Sequence, residues 1–145
     1  MRPRLPRAIL DRVPAGTAVV RVERMPRAFT KYLLDDGRVL HRFRAGEPYA
    51  NPHDHSWPSE TEILEGGYIE ELFRIGPDGW HSEQVHRLPG QVYWIEATIH
   101  RIVALPTGEW WTLVKAGGHE RKTRFWRFET VVRSRAWQDG KWIVW

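Results

Sequence analysis

Short turn signals that each separate two apolar runs recur along the chain, and they constrain the fold more than any other feature. Asp35-Asp36-Gly37 separates two apolar runs, 30–34 and 38–43, and glycine tolerates the positive φ that tight hairpin turns require. Similar signals separate later apolar runs, at Ile75–Gly79, Pro106–Gly108 and Gln138–Gly140. This spacing predicts an antiparallel all-β sandwich or barrel.

Composition supports strands over helices. Nine Trp, five Phe and four Tyr favour pleated surfaces, and ten Pro with twelve Gly favour turns. One short helix is predicted over residues 5–13, with Ala8, Ile9 and Leu10 on its apolar side and Pro14 and Gly16 ending it. No linker divides the chain, so we expect a single domain over residues 1–145.

The absence of cysteine excludes disulfides, zinc knuckles and thiol nucleophiles. No apolar stretch predicts a membrane span or a secretory signal, so we expect a cytoplasmic protein. The net charge is +4. The basic residues are spread along the chain, apart from the run Arg121–Arg124. This spread favours a solvated basic surface over nucleic-acid binding. Neither a phosphate-binding glycine loop nor a dinucleotide fingerprint is present.

Three histidines carry the main functional signal. His53 and His55 stand two residues apart, and residues i and i+2 of a strand project from one face. Imidazole is a common ligand of Zn, Fe, Cu and Ni. His100 lies in the apolar run 99–103 and is the candidate third ligand.

These histidines sit in a segment that resembles the first cupin motif, in which His-x-His is followed by Glu and then Gly. Here Glu60 stands five residues after His55, and Gly67 stands seven after Glu60. The stretch from Pro89 to His100 resembles the second cupin motif, although the Pro-x-Gly before the final histidine is missing. The resemblance covers residues 46–105.

A narrower resemblance is to small bacterial and phage cupin-like proteins without a settled activity. Its matching elements are His53-Asp54-His55-Ser56-Trp57, Ile63–Tyr68, His100-Arg101-Ile102, Trp111-Thr112-Leu113 and Arg124–Phe128. The resemblance implies a double-stranded β-helix, or jelly-roll barrel, with the short N-terminal helix in front of it.

The fourth metal ligand has two candidates. The cupin spacing favours Glu60, and Glu62 replaces it if the register differs by two. His86 is a weaker candidate near the barrel mouth, while His41, His81 and His119 are expected to be surface or structural residues.

A substrate pocket is expected to be lined by aromatic and basic side chains. The arginines would hold a carboxylate or phosphate of the substrate. The alternative role is core packing for each aromatic residue and a structural salt bridge for each arginine. Trp57, Tyr68, Arg124 and Arg127 are the predicted substrate-binding residues. Further wall candidates are Tyr93, Trp94, Trp111 and Trp126.

The resemblance implies a divalent metal ion, either Fe(II), Zn, Mn or Ni. The predicted function is a metal-dependent enzyme acting on a small molecule, most simply an Fe(II) dioxygenase, with an isomerase as another possibility. The alternative is a non-catalytic module that binds a small ligand or a protein, with a structural metal or none. Cupin-like barrels often pair through edge strands, and the Trp-rich strand 141–145 would suit such a homodimer, although the oligomeric state stays open at this point.

Overall fold

A computed structural model describes residues 4–25, 29–44, 52–55, 58–96, 98–117, 123–136 and 140–145. These residues form one short helix, α1 (Arg7–Leu10), and twelve strands. The strands are β1 (Val19–Met25), β2 (Phe29–Leu34), β3 (Val39–Arg44), β4 (Ser59–Glu65), β5 (Tyr68–Gly76), β6 (Gly79–Arg87), β7 (Val92–Ile95), β8 (Ile99–Ala104), β9 (Glu109–Ala116), β10 (Arg124–Phe128), β11 (Val132–Ala136) and β12 (Ile143–Val144). The predicted all-β class is confirmed. The described ranges contain no helix long and apolar enough to cross a membrane.

The first sheet has six antiparallel strands in the order β1-β2-β3-β9-β4-β7. The N-terminal segment covers its outer face, where Ile9 is 1% exposed. The helix is shorter than predicted, and Leu10 is exposed instead of buried. The residues packed in this layer are Leu5, Ile9, Val13, Tyr32, Leu34, Leu40, Leu64, Trp111 and Leu113.

The second sheet consists of two three-stranded parts, β6-β5-β8 and β10-β11-β12. The segment 52–54 joins them. The backbones of His53 and His100 exchange two hydrogen bonds of 2.9 Å, and on its other side His53 bridges Phe125. The predicted His-x-His segment therefore acts as a short strand in the middle of this sheet.

The two sheets pack through a shared aromatic cluster. Trp110 on β9 stacks on Phe43 of β3 at 4.3 Å and lies 4.5 Å from the ring of Tyr68 on β5. Ile63 and Ile102 complete the buried part of this cluster. The inner faces of the sheets are thereby held together on one side of the histidines.

Three of the predicted turns join paired strands: β2 to β3, β5 to β6 and β11 to β12. Gly37 has the expected positive φ of 87° in the first. Pro106–Gly108 differs, because β8 pairs with β5 while β9 pairs with β3 and β4. That turn carries the chain from one sheet to the other. Of the last turn, Gln138 and Asp139 lie outside the described residues.

Candidate metal centre

His53, His55 and His100 come together on one face of the second sheet. Directly paired residues of antiparallel strands share a face, and so do residues i and i+2. The pairing of His53 with His100 therefore brings the third imidazole beside the first two. The ring centroids lie 5.3 Å apart for His53 and His55, 4.8 Å for His53 and His100, and 4.9 Å for His55 and His100.

The donor atoms fit a metal ion. One ligand nitrogen from each histidine lies within 4.8 Å of the other two. Nε2 of His55 and Nε2 of His100 are 2.8 Å apart. Two nitrogens bound to one zinc ion at about 2.0–2.1 Å would lie about 3.0–3.4 Å apart. A small outward adjustment of these rings would accommodate an ion, and the three histidines predicted from the sequence are the ones that the fold assembles.

A buried carboxylate orients His100. Nδ1 of His100 lies 2.6 Å from Oε2 of Glu70, which is 1% exposed. Nε of Arg87 donates to Oε1 of the same carboxylate over 2.6 Å. Burial acts to raise the pKa of Glu70, but the hydrogen bonds and charges of His100 and Arg87 outweigh it and hold the pKa below its usual value. An ionised Glu70 accepts a hydrogen bond from Nδ1 of His100, which leaves Nε2 as the nitrogen that would bind an ion.

Arg87 connects this pair to the first sheet. Its guanidinium carbon lies 3.9 Å from the ring centre of Tyr93 on β7. Burial raises the pKa of Tyr93 well above its usual value, which keeps the phenol neutral. The chain of contacts His100–Glu70–Arg87–Tyr93 thus spans both sheets at the candidate centre.

Asp54 fixes the histidine segment from the opposite face. This carboxylate is 5% exposed. The backbone N–H of Arg124 donates to its Oδ1 over 2.8 Å, and Nε1 of Trp126 donates to its Oδ2 over 3.0 Å. Asp54 therefore ties the segment to β10, and its role was missed because both partners lie some 70 residues further along the chain.

The structure does not place Glu60 or Glu62 with the histidines, which corrects the predicted fourth ligand. Ser59, Thr61 and Ile63 alternate along β4 and are buried on its inner side, so alternation turns the two glutamates between them to the outer face. There they line a depression of about 510 Å³ together with Lys115, and Glu62 lies 3.7 Å from Arg12. The carboxylate at the centre is Glu70 instead, and it contacts a histidine.

Of the predicted substrate-binding residues, Trp57 lies outside the described residues. Tyr68 is a core residue that is 3% exposed. Arg124 donates through Nε to Ser134 on the face opposite the histidines, whereas Arg127 is exposed and stacks on Trp142 at 4.0 Å.

A pocket of about 480 Å³ lies beside His100. Tyr93 and Trp94, two of the predicted wall residues, line it. Two others do not: Trp111 packs on the outer face of the first sheet, and Trp126 packs on the outer side of the second. The remaining lining residues are Glu70, Leu72, Phe73, Arg74, Arg87, Ile95, Glu96 and Thr98.

The other histidines have separate environments. His81 and His86 are exposed on β6. His41 on β3 packs edge-on against Phe29 at 5.0 Å. Desolvation, followed by the charge of Lys31 opposite, lowers the pKa of His41 to about 3. His119 lies outside the described residues.

Comparisons with known proteins yield structural matches alone, since no family model and no curated protein matches the chain. One similar structure is the capsular polysaccharide assembling protein CapF from Staphylococcus aureus, at 14% identity and a TM-score of 0.49 over 70% of this chain. Another is a sugar phosphate isomerase from a cupin superfamily of Silicibacter pomeroyi, at 17% identity and 0.43, covering 98% of this chain and 92% of that one. A third is Fe(II)-HppE, at 13% identity and 0.47, covering 70% of this chain and 56% of that one.

The solved structures to which the chain is similar include a protein described as belonging to a cupin superfamily. The chain spans 31% of the CapF chain. Similarity at these identities and TM-scores concerns the fold and identifies no activity, ligand or partner. The residues of the centre are therefore the basis for a function.

Proposed function

We propose that this chain is a metal-dependent enzyme acting on a small molecule, with one divalent ion held by His53, His55 and His100. The observation that carries the proposal is the convergence of three imidazoles, with donor atoms within 4.8 Å, beside a pocket. Fe(II), Zn, Mn and Ni all accept imidazole ligands.

The donor set favours an open site. Among the described residues the three histidines are the candidate ligands, and three protein ligands leave coordination positions for water or substrate, which is typical of catalytic and not of structural sites. Such an ion supplies Lewis acidity or activates water, and Fe(II) also binds dioxygen. An Fe(II) dioxygenase remains the simplest reaction that we propose. Within the described part of the chain, Glu70 contacts His100 and is not grouped with the ligands, so the ligand set found there differs from the two-histidine, one-carboxylate arrangement.

Other residues at the site orient the metal ligands and line the pocket. Glu70 holds the ring of His100 with Nε2 toward the ion, and Arg87 keeps Glu70 charged. Tyr93, Trp94 and Ile95 on β7 are among the residues that line the pocket. Its volume of about 480 Å³ lies within the range of about 300–1,000 Å³ that is usual for small-molecule sites.

Cobalt substitution tests the proposal. Co(II) reports its coordination number in visible absorption, and azide binds it where a position is open. We expect one equivalent of Co(II) to give d–d bands that shift when azide is added. His53→Ala should abolish the bands, whereas His81→Ala, an exposed histidine on β6, should leave them unchanged.

A Co(II) spectrum that azide does not alter would instead support the second candidate, a non-catalytic module with a structural metal. Absence of any Co(II) spectrum in the unmodified chain would reject the metal centre altogether.

A further inference from the structure

We infer that the histidine face continues into an anion-binding surface formed by Arg127, Arg135 and Trp142, and that the substrate carries a phosphate or carboxylate group that binds there. The inference rests on the proposed function. It identifies the group at one end of the substrate, whose other end would react at the histidines. The sequence predicts Arg127 as a substrate-binding residue, and the structure adds Arg135 and Trp142 beside it.

Strand pairing places these residues on the histidine face. His53 pairs with Phe125 of β10, and Phe125 pairs with Arg135 of β11. Paired side chains share a face, so Arg135 lies on the face of His53. Arg127 stands two residues after Phe125 on β10, so its side chain lies on the same face of the sheet as that of Phe125. Arg124, Trp126 and Ser134 take the opposite face, as their contacts with one another and with Asp54 show.

Trp142 holds the two guanidinium groups. The guanidinium carbon of Arg127 lies 4.0 Å from the ring centre, and that of Arg135 lies 5.4 Å from it. Arg135 also lies 4.9 Å from the ring of Phe125. A guanidinium stacked on a ring keeps its N–H groups in its own plane, and those of the exposed Arg127 can bind a carboxylate or phosphate with two parallel hydrogen bonds. The stacking therefore orders these arginines before any ligand arrives.

The local charge is suited to an anion. The described segment 123–136 contains four arginines and one acidic residue, Glu129. Glu129 lies 3.7 Å from Arg133, and both side chains are well exposed. Arg127 is exposed, so an incoming anion reaches it from solvent.

The spacing sets the length of the ligand. Neighbouring strands lie about 4.8 Å apart, so β11 is about 10 Å from the His53 segment. An inorganic anion at Arg135 cannot reach the histidines. The substrate is therefore an organic molecule whose acidic group lies about 10 Å from its reacting atoms. Binding of a nucleic acid would not require the arginines and the histidines to share one face of the sheet. Because they do share it, we favour a small molecule that contacts both.

Calorimetric titration of the metal-free chain tests the inference, with pyrophosphate as the phosphate probe and succinate as the carboxylate probe. We expect at least one probe to bind, and the tighter one identifies the group. Arg127→Ala and Trp142→Ala should each weaken binding about tenfold, since a hydrogen bond to a charged group is lost or disordered. Arg127→Lys, which keeps the charge but not the fork, should weaken it less.

Arg21→Ala is the matched control, because Arg21 is an exposed arginine paired with Glu23 on β1, an edge strand of the first sheet. It should leave binding unchanged. Zn(II) affinity should be the same in Arg127→Ala as in the unmodified chain, which separates this inference from the metal proposal. Failure of both probes to bind, or equal losses in the Arg21 control, overturns the inference. Tighter, steeply salt-dependent binding of a single-stranded oligonucleotide that Arg127→Ala abolishes overturns it in favour of nucleic acid.

Discussion

Glu70 accepts a hydrogen bond from His100 through one carboxylate oxygen and from Arg87 through the other, both over 2.6 Å. The side chain of Glu70 is 2% exposed, and those of His100 and Arg87 are 8% and 19% exposed. A charge buried to this degree is costly unless it is paired and hydrogen-bonded. Both conditions are met here, so the pair has a structural role and also sets the orientation of a candidate metal ligand.

Glu70→Gln should weaken metal binding by about 10- to 100-fold, the usual cost of losing a residue that orients a histidine ligand. The amide is similar in size but does not carry the charge that stabilises the Nδ1–H of His100. Calorimetric titration with Zn(II) measures the effect. Glu71→Gln is the control, because Glu71 contacts Ser82 and Arg101 instead of a histidine. Equal Zn(II) affinities of the unmodified chain, Glu70→Gln and Glu71→Gln would show that Glu70 has no role in metal binding.

Arg87→Ala should lower the free energy of unfolding by about 3 kcal/mol, because it leaves a buried carboxylate short of one partner. It also removes the contact with Tyr93. Arg74→Ala breaks a surface pair with Glu83 whose side chains are 63% and 55% exposed, and it should cost less than about 1 kcal/mol. Urea unfolding of the two variants checks this, and similar losses would contradict the account of Arg87.

His41 should make the metal-free protein less stable as the pH falls. The pKa of His41 is about 3 in the folded chain and 6.5 for an unperturbed histidine. Between these values the unfolded chain takes up a proton that the folded chain does not, so the stability present above pH 6.5 is lost as the pH falls toward 3.

His41→Phe should therefore flatten this pH dependence, as measured by thermal unfolding between pH 7 and 4. His81→Phe, a change at an exposed site, should leave the slope as it is. A slope that stays the same in His41→Phe would show that His41 takes up its proton as readily in the folded chain.

The sequence was sufficient to predict the strands and the three histidines, because both depend on local patterns. Alternation places His53 and His55 on one face, and the apolar run around His100 predicts its strand. Turn chemistry identified the ends of the strands, but it does not reveal whether a turn joins two paired strands or two sheets. For that reason Pro106–Gly108 was read as a hairpin turn and is in fact a crossing between sheets.

The carboxylates could not be predicted in the same way, because their roles depend on pairing between distant segments. Glu70 meets His100 through the pairing of β5 with β8, whose register shifts between Ile69 and Glu70. Glu60 had the expected spacing from His55, but spacing does not determine the face, and the buried neighbours Ser59 and Thr61 turn it outward. Asp54 anchors the segment through contacts that no local pattern contains.

Anomalous scattering from crystals grown with one equivalent of Zn(II) tests the central claim most directly. The account predicts a single zinc peak about 2.0–2.1 Å from one nitrogen each of His53, His55 and His100. Glu70 should remain hydrogen-bonded to Nδ1 of His100 and stay outside the coordination sphere. A zinc peak at Glu60 and Glu62, or three histidines that stay uncoordinated in the presence of the ion, would contradict it.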